Sequence, residues 1–177
     1  MLGAVLREHC GIATGLPAQL IFASGFGSVG LGIARHALDS LIDLIHGKTP
    51  TFSSRKMLDD DMVHVALAQA EARWGAGRAF LYEAAEAVTY HYQQHGTVSS
   101  QLRAHLRLAA TSAMRNAGKV VHEAYSTAGS DAIFDDHPLH QCFQDIHALT
   151  QQIQARQAHY RTVGRTLLGL EPDAPMV

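Results

Sequence analysis

The sequence predicts an all-α fold, a four-helix bundle, and three observations carry that expectation. Four segments place apolar residues at alternating spacings of three and four, which puts them on one face of a helix. No segment shows the sustained apolar–polar alternation of a half-buried strand. Alanine occurs 27 times in 177 residues, and a small, strong helix former lets neighbouring helices come close. A chain of this length can bury roughly 70% of its unfolded surface without staples, so residues 1–177 are read as one helical-bundle domain.

The first helix is expected from about Pro17 to His46. Proline suits a first-turn position and Gly47 a stop. Its regular part carries Leu31, Ala34, Leu38, Leu41 and Ile45 on one stripe. A polar connector follows, from Lys48 through Pro50 and Ser53 to Lys56. The second helix begins near Asp59, Asp60 and Asp61, acids that suit the positive end of a helix dipole. It shows Val63, Leu67, Ala70, Trp74, Leu81, Ala85, Val88 and Tyr92, and stops at Gly96. Thr97 or Ser99 caps the third helix, whose stripe runs from Leu102 through Ala113 to Ala124 before Gly129. The fourth starts at Pro138 and carries Leu139, Phe143, Ile146, Leu149, Ile153, Tyr160, Val163 and Leu167. Short connections between long amphipathic helices give the bundle.

Charge and composition remove several function classes. A formal net charge of −2 with scattered signs leaves no footprint for nucleic acid. Cys10 and Cys142 cannot make a disulfide framework and fit a reducing, cytoplasmic setting. The start of the chain lacks a basic region, and Arg7, Glu8 and His9 interrupt any early apolar run, so no secretory signal is read. From Cys10 to Ala34 there is no Asp, Glu, Lys or Arg, a length that suggests a membrane span. Yet Gln19, Ser24, Ser28, Pro17 and six glycines make the stretch too polar and flexible to span. A buried helix approached closely by its neighbours accounts for it better.

Two patterns invite chemistry they cannot support. Gly25-Phe26-Gly27-Ser28-Val29-Gly30 matches a dinucleotide fingerprint letter for letter. That chemistry needs a strand before it, later parallel strands, and an acid about twenty residues on. No later strands are expected, and Asp43 lies inside the same helix. The glycines read instead as close helix contacts. Twelve histidines suggest metal, but di-iron bundles need buried glutamates with Glu-x-x-His pairs, and the chain contains no Glu-x-x-His. Asp43/His46, Asp61/His64 and His91/His95 have usable spacings but fall at helix ends, so no metal is expected. No nucleophile turn of a Ser-His-Asp or Cys-His hydrolase appears either.

The most informative stretch is 128–147, where a small-residue turn, an acidic pair and Pro138 interrupt the helices and a helix restarts. A rigid scaffold places such a loop, the usual setting for binding. Ala128-Gly129-Ser130, His137-Pro138-Leu139, the run Phe143 to His147 and the run Gly164 to Gly169 stand there and beyond in a telling order. Earlier pieces are Gly30 to Asp39, Lys48-Thr49-Pro50 and Ser53-Ser54-Arg55. Together they resemble the C-terminal helical domain of the acyl-CoA dehydrogenase superfamily over nearly the whole chain. The nearer resemblance is to its two-component flavin-dependent monooxygenases.

The resemblance implies a flavin, FMN or FAD, with Ser54 and Arg55 near its phosphate and Gly129 and Ser130 contacting it. A guanidinium and a hydroxyl suit a phosphate, and glycine lets a backbone come near. An exposed polar connector and a plain helix C-cap are the readings that compete. His147 is the candidate catalytic residue, against a buried, hydrogen-bonded histidine. Gln141 and Gln144 stand where the family usually has arginines, and Gln152 near where relatives place a histidine; glutamine cannot act as acid or base near neutral pH.

The family's N-terminal helical and β-barrel domains have no counterpart in this sequence. A fragment, a truncated homologue or one half of a split enzyme would all fit, and the isolated chain is expected to be inactive. Two functions follow from the resemblance. One is an oxidoreductase domain that serves hydroxylation of an aromatic or polycyclic substrate with reduced flavin and O2, the flavin coming from a separate reductase. The other is a non-catalytic assembly module derived from that family. A homo-oligomer, dimer or tetramer, is expected in both, because the first helix is too apolar to stand unpaired.

Overall fold

The computed structural model describes residues 16–51 and 53–174. Cys10, the uncharged stretch before Leu16, and Phe52 of the connector lie outside the described residues. Among the described residues five α-helices form the fold: α1 Ala18–Gly47, α2 Asp61–His95, α3 Ser100–Ala128, α4 Pro138–Gln151 and α5 Ala158–Leu167. Short 3-10 turns at Met57–Asp59, Gly129–Ile133 and Ile153–Ala155 punctuate them. Among the described residues there is no strand, and no helix is long and apolar enough to cross a membrane.

The helix ends follow local chemistry. Asp60 accepts a hydrogen bond from the Met62 amide at 2.8 Å, and Ser99 from the Leu102 amide at 3.3 Å. Each satisfies an amide that the first turn leaves without a helical partner. Gly96 closes α2 in the left-handed region, φ 66° and ψ 4°, its amide on Tyr92 O. Pro138 opens α4 behind His137, whose ring Nδ1 accepts from the Leu139 amide at 3.2 Å.

Helix α3 is the hub: α1, α2, α4 and α5 all pack on it, and α4 also packs on α1. The uncharged stretch of α1 explains itself at that contact. A Cβ on Gly27 would stand 3.0 Å from Leu81 Cδ2 and 3.5 Å from Ala110 Cα, and one on Gly30 3.0 Å from Leu149 Cδ2 and 3.4 Å from Met114 Cα. The glycine fingerprint is therefore a packing surface in mid-helix, as its lack of flanking strands implied.

The expected continuous fourth helix is corrected by the structure: it breaks at Gln152 into α4 and α5. Gln152 and Arg156 are extended, with ψ of 150° and 134°. The carbonyls this frees find partners from elsewhere. Arg115 Nε donates to Ala155 O at 2.8 Å, and His159 Nε2 donates to Ile153 O at 2.8 Å. The fully buried Arg107 donates to Gln154 Oε1 at 2.6 Å. Burial pulls the Arg107 pKa down to about 10, still far above neutral, so the break is pinned by a buried cation.

Candidate functional site

Lys48 draws the expected cofactor residues to one end of the bundle. It follows α1 directly, and its backbone carbonyl accepts from the Met57 amide at 3.0 Å, closing the connector on itself. Its Nζ crosses to the loop after α3, donating to Ala128 O at 2.6 Å and lying 3.2 Å from Asp131 Oδ2. Those two partners flank Gly129 and Ser130, so the connector that carries Ser54 and Arg55 is tied to that loop.

Within the connector, Ser53 Oγ accepts from the Arg55 amide at 3.0 Å and donates to Arg55 O at 3.2 Å. The Arg55 guanidinium donates to Asp59 O; a guanidinium has five N–H donors, so most stay available. Ser54, Arg55, Gly129 and Ser130 are all exposed. Neither the Ser54 nor the Ser130 hydroxyl bonds to another described residue. Gly129 has φ 67° and ψ −142°, a region that is essentially glycine's alone. It is thus a different cap from the left-handed one at Gly96. Exposed hydroxyls and a guanidinium at this end of the bundle suit a phosphate-bearing ligand such as a flavin nucleotide, while the Lys48 ammonium is half-buried and engaged by Ala128 O and Asp131.

His147 lies elsewhere. It projects from α4 into an open cleft of about 530 Å³ that it shares with Arg73 of α2 and with Arg115, Lys119, His122 and Glu123 of α3. It is exposed rather than buried. Its Nδ1–H donates to Phe143 O at 2.8 Å, which leaves Nε2 as the acceptor of the neutral ring. Its ring centroid is 4.3 Å from that of Phe143.

The substitutions around α4 also resolve. Gln141 Nε2 donates to Asp145 Oδ1 at 2.7 Å, supplying the hydrogen bond an arginine would give. Gln152 is exposed and caps α4 through its amide on Leu149 O. Near it, His159 has its pKa lowered, chiefly by burial. Sequence reasoning missed the bridging role of Lys48 and the part played by Arg107, Arg115 and His159 at the break. A cation set among Leu106, Ala109 and Ala110 was the one available signal for Arg107. Among the described residues no group of three or more His, Cys, Asp or Glu could hold a metal ion.

The model of the acyl-CoA dehydrogenase C-terminal domain matches residues 24–157, and the chain belongs to that family. It is 33% identical over 144 residues to an indole-3-acetate monooxygenase of Pseudomonas putida, covering 81% of this chain and 37% of that protein. It is 25% identical over 166 residues to the oxygenase component of an Acinetobacter baumannii p-hydroxyphenylacetate 3-hydroxylase, covering 91% and 38%. The chain therefore spans well under half the length of these relatives. Among solved structures it is similar in fold to XiaF from a Streptomyces species, solved with FADH2 and glycerol. There the TM-score is 0.85 at 17% identity, over 92% of this chain and 43% of that one. Glutaryl-CoA dehydrogenase from Mycobacterium smegmatis shares the fold at a TM-score of 0.69 and 15% identity, over 88% and 38%.

Proposed function

We propose that this chain supplies one wall of a reduced-flavin site and serves in flavin-dependent hydroxylation of an aromatic substrate. The observation that carries this reading is the Lys48 bridge, which unites the connector and the loop after α3 at one exposed surface. Arg55, Ser54 and Ser130 would hold the flavin's phosphate end by charge-assisted and neutral hydrogen bonds. Gly129 would let backbone approach the ligand without a Cβ in the way. A bound reduced flavin supplies the activation of O2, and the protein's part is to bind, orient and exclude water. The rest of the pocket would come from the domains that make the relatives longer. A separate reductase would deliver the flavin, in the cytoplasm. The names of the relatives make arylacetates the first substrates to try.

An anaerobic titration with reduced FMN and FAD, followed by fluorescence, tests the reading. Binding tighter than about 1 mM is expected, weakened about tenfold by Arg55→Gln. A chain indifferent to flavin would support the second reading, an assembly module. One observation favours it: Phe22, Val29, Tyr82 and Tyr90 are each more than half exposed. Tyr82 and Tyr90 line the groove between α1 and α2, a face suited to a second copy of the chain. A homo-oligomer is part of both readings, and gel filtration of the same sample tests it.

A further inference from the structure

Helix α2 carries two charges that the bundle leaves unanswered. Arg78 and Glu86 are both exposed, and neither lies within ion-pair distance of an opposite charge on another described residue. The Arg78 guanidinium lies instead over two rings of its own helix, 6.0 Å from the centroid of Trp74 and 4.6 Å from that of Tyr82. Trp74, Arg78, Tyr82, Glu86 and Tyr90 follow one another at steps of four, which makes them a single ridge along the helix surface.

We propose that this ridge is one half of a two-fold interface, on which a second copy of the chain packs its α2 antiparallel with the axis at Tyr82. Arg78 then meets the partner's Glu86, Glu86 meets the partner's Arg78, and Trp74 approaches the partner's Tyr90. The inference deepens the homo-oligomer common to both functional readings by naming its surface, orientation and contacts, and it rests on that homo-oligomer.

An isologous interface must match itself after a half-turn. The ridge does so about its central tyrosine, with an aromatic ring at each end and opposite charges at equal distances inside. A parallel pairing would set arginine on arginine and glutamate on glutamate, which is repulsive. Helices that lay such ridges along one another cross at about −50°, a common packing angle. Trp, Tyr and Arg are also the residue types that carry most of the binding energy at protein interfaces. Trp74 is fixed in advance, its Nε1–H donating to Leu31 O at 2.9 Å.

The neighbouring surface of α1 suits the same occupant. Open cavities of about 420 and 250 Å³ share Ser28 and Tyr82, and together they make one groove between α1 and α2. Helix α1 brings no Asp, Glu, Lys or Arg to it before Arg35, and nothing stands within 4 Å of where a Cβ on Gly32 would be. An aromatic side chain of the partner can enter there without desolvating an unpaired α1 charge.

Sedimentation equilibrium of the full chain at low salt tests this, with charge exchanged across the axis. The parent is expected to self-associate below about 50 µM. Arg78→Glu and Glu86→Arg each turn both ion pairs into like-charge contacts, and each should raise the dissociation constant at least about tenfold. The doubly exchanged variant should return to within about threefold of the parent. An equimolar mixture of the two single variants should associate at least about tenfold more tightly than either alone, because both pairs reform between unlike chains. Helical circular dichroism should be unchanged in each, since both positions are exposed.

Single variants that associate as the parent does, or a mixture no tighter than its components, would overturn this interface and leave the homo-oligomer standing. The mixture needs only the single variants, so it decides the matter even if the double variant misfolds. A parent that stays monomeric at about 50 µM would sink the interface and the homo-oligomer together.

Discussion

Gly96 and Gly129 both end long helices with positive φ, yet they are different devices. Gly96, at ψ 4°, sits in the left-handed region, which asparagine also tolerates. Gly129, at ψ −142°, sits where other residues are strained. A Cβ at Gly129 would meet nothing nearer than Lys48 Nζ at 3.9 Å, so its requirement is conformational rather than steric. Gly129→Ala should therefore cost about 1–3 kcal/mol in urea denaturation, and Gly96→Asn distinctly less. Equal costs would contradict this distinction. Both glycines were legible as stops, because a glycine after a periodic run marks a helix end. The unusual ψ of Gly129 was not, nor was the role of Lys48, whose partner carbonyl lies 80 residues away. Side chains that act across such separations leave no local pattern to read.

At the scale of elements, α1 separates two kinds of glycine. Gly27 and Gly30 face close neighbours, while Gly25 and Gly32 have open space where a Cβ would go. Alanine in a helix is favoured over glycine by about 1 kcal/mol, a gain common to every such substitution here. At Gly30 the added methyl must displace Leu149 with the Met114 backbone close behind, and overpacking of that kind costs about 1–3 kcal/mol. Gly32→Ala should stabilise the fold, and Gly30→Ala should fall below it by about 1–3 kcal/mol, read as the difference in unfolding free energy. Two variants of equal stability would remove the close-packing account of this helix.

The boundaries of α1, α2 and α3 were legible to within a residue or two, since Gly47, Asp60, Gly96, Ser99 and Gly129 act locally. The break at Gln152 was not. Residues 150–157 contain neither glycine nor proline, and they leave the helix because Arg107 and Arg115, more than a turn apart on α3, hold Gln154 and Ala155. Tertiary partners overrode a local helical pattern.

For the molecule as a whole, the bundle gathers Ser54, Arg55, Gly129 and Ser130 through Lys48 at one end and sets His147 apart in a cationic cleft. Five residues singled out from sequence thus divide into two places, a division no spacing could reveal because helix packing decides it. The central claim is that the surface joined by Lys48 is where a flavin docks. Hydrogen exchange of the full chain, with and without saturating reduced flavin under anaerobic conditions, addresses it most directly. Slowed exchange confined to residues 48–57 and 126–134, with the cleft around His147 unchanged, is the expected result. Exchange unaltered at both segments, or slowed only elsewhere in the bundle, would contradict it.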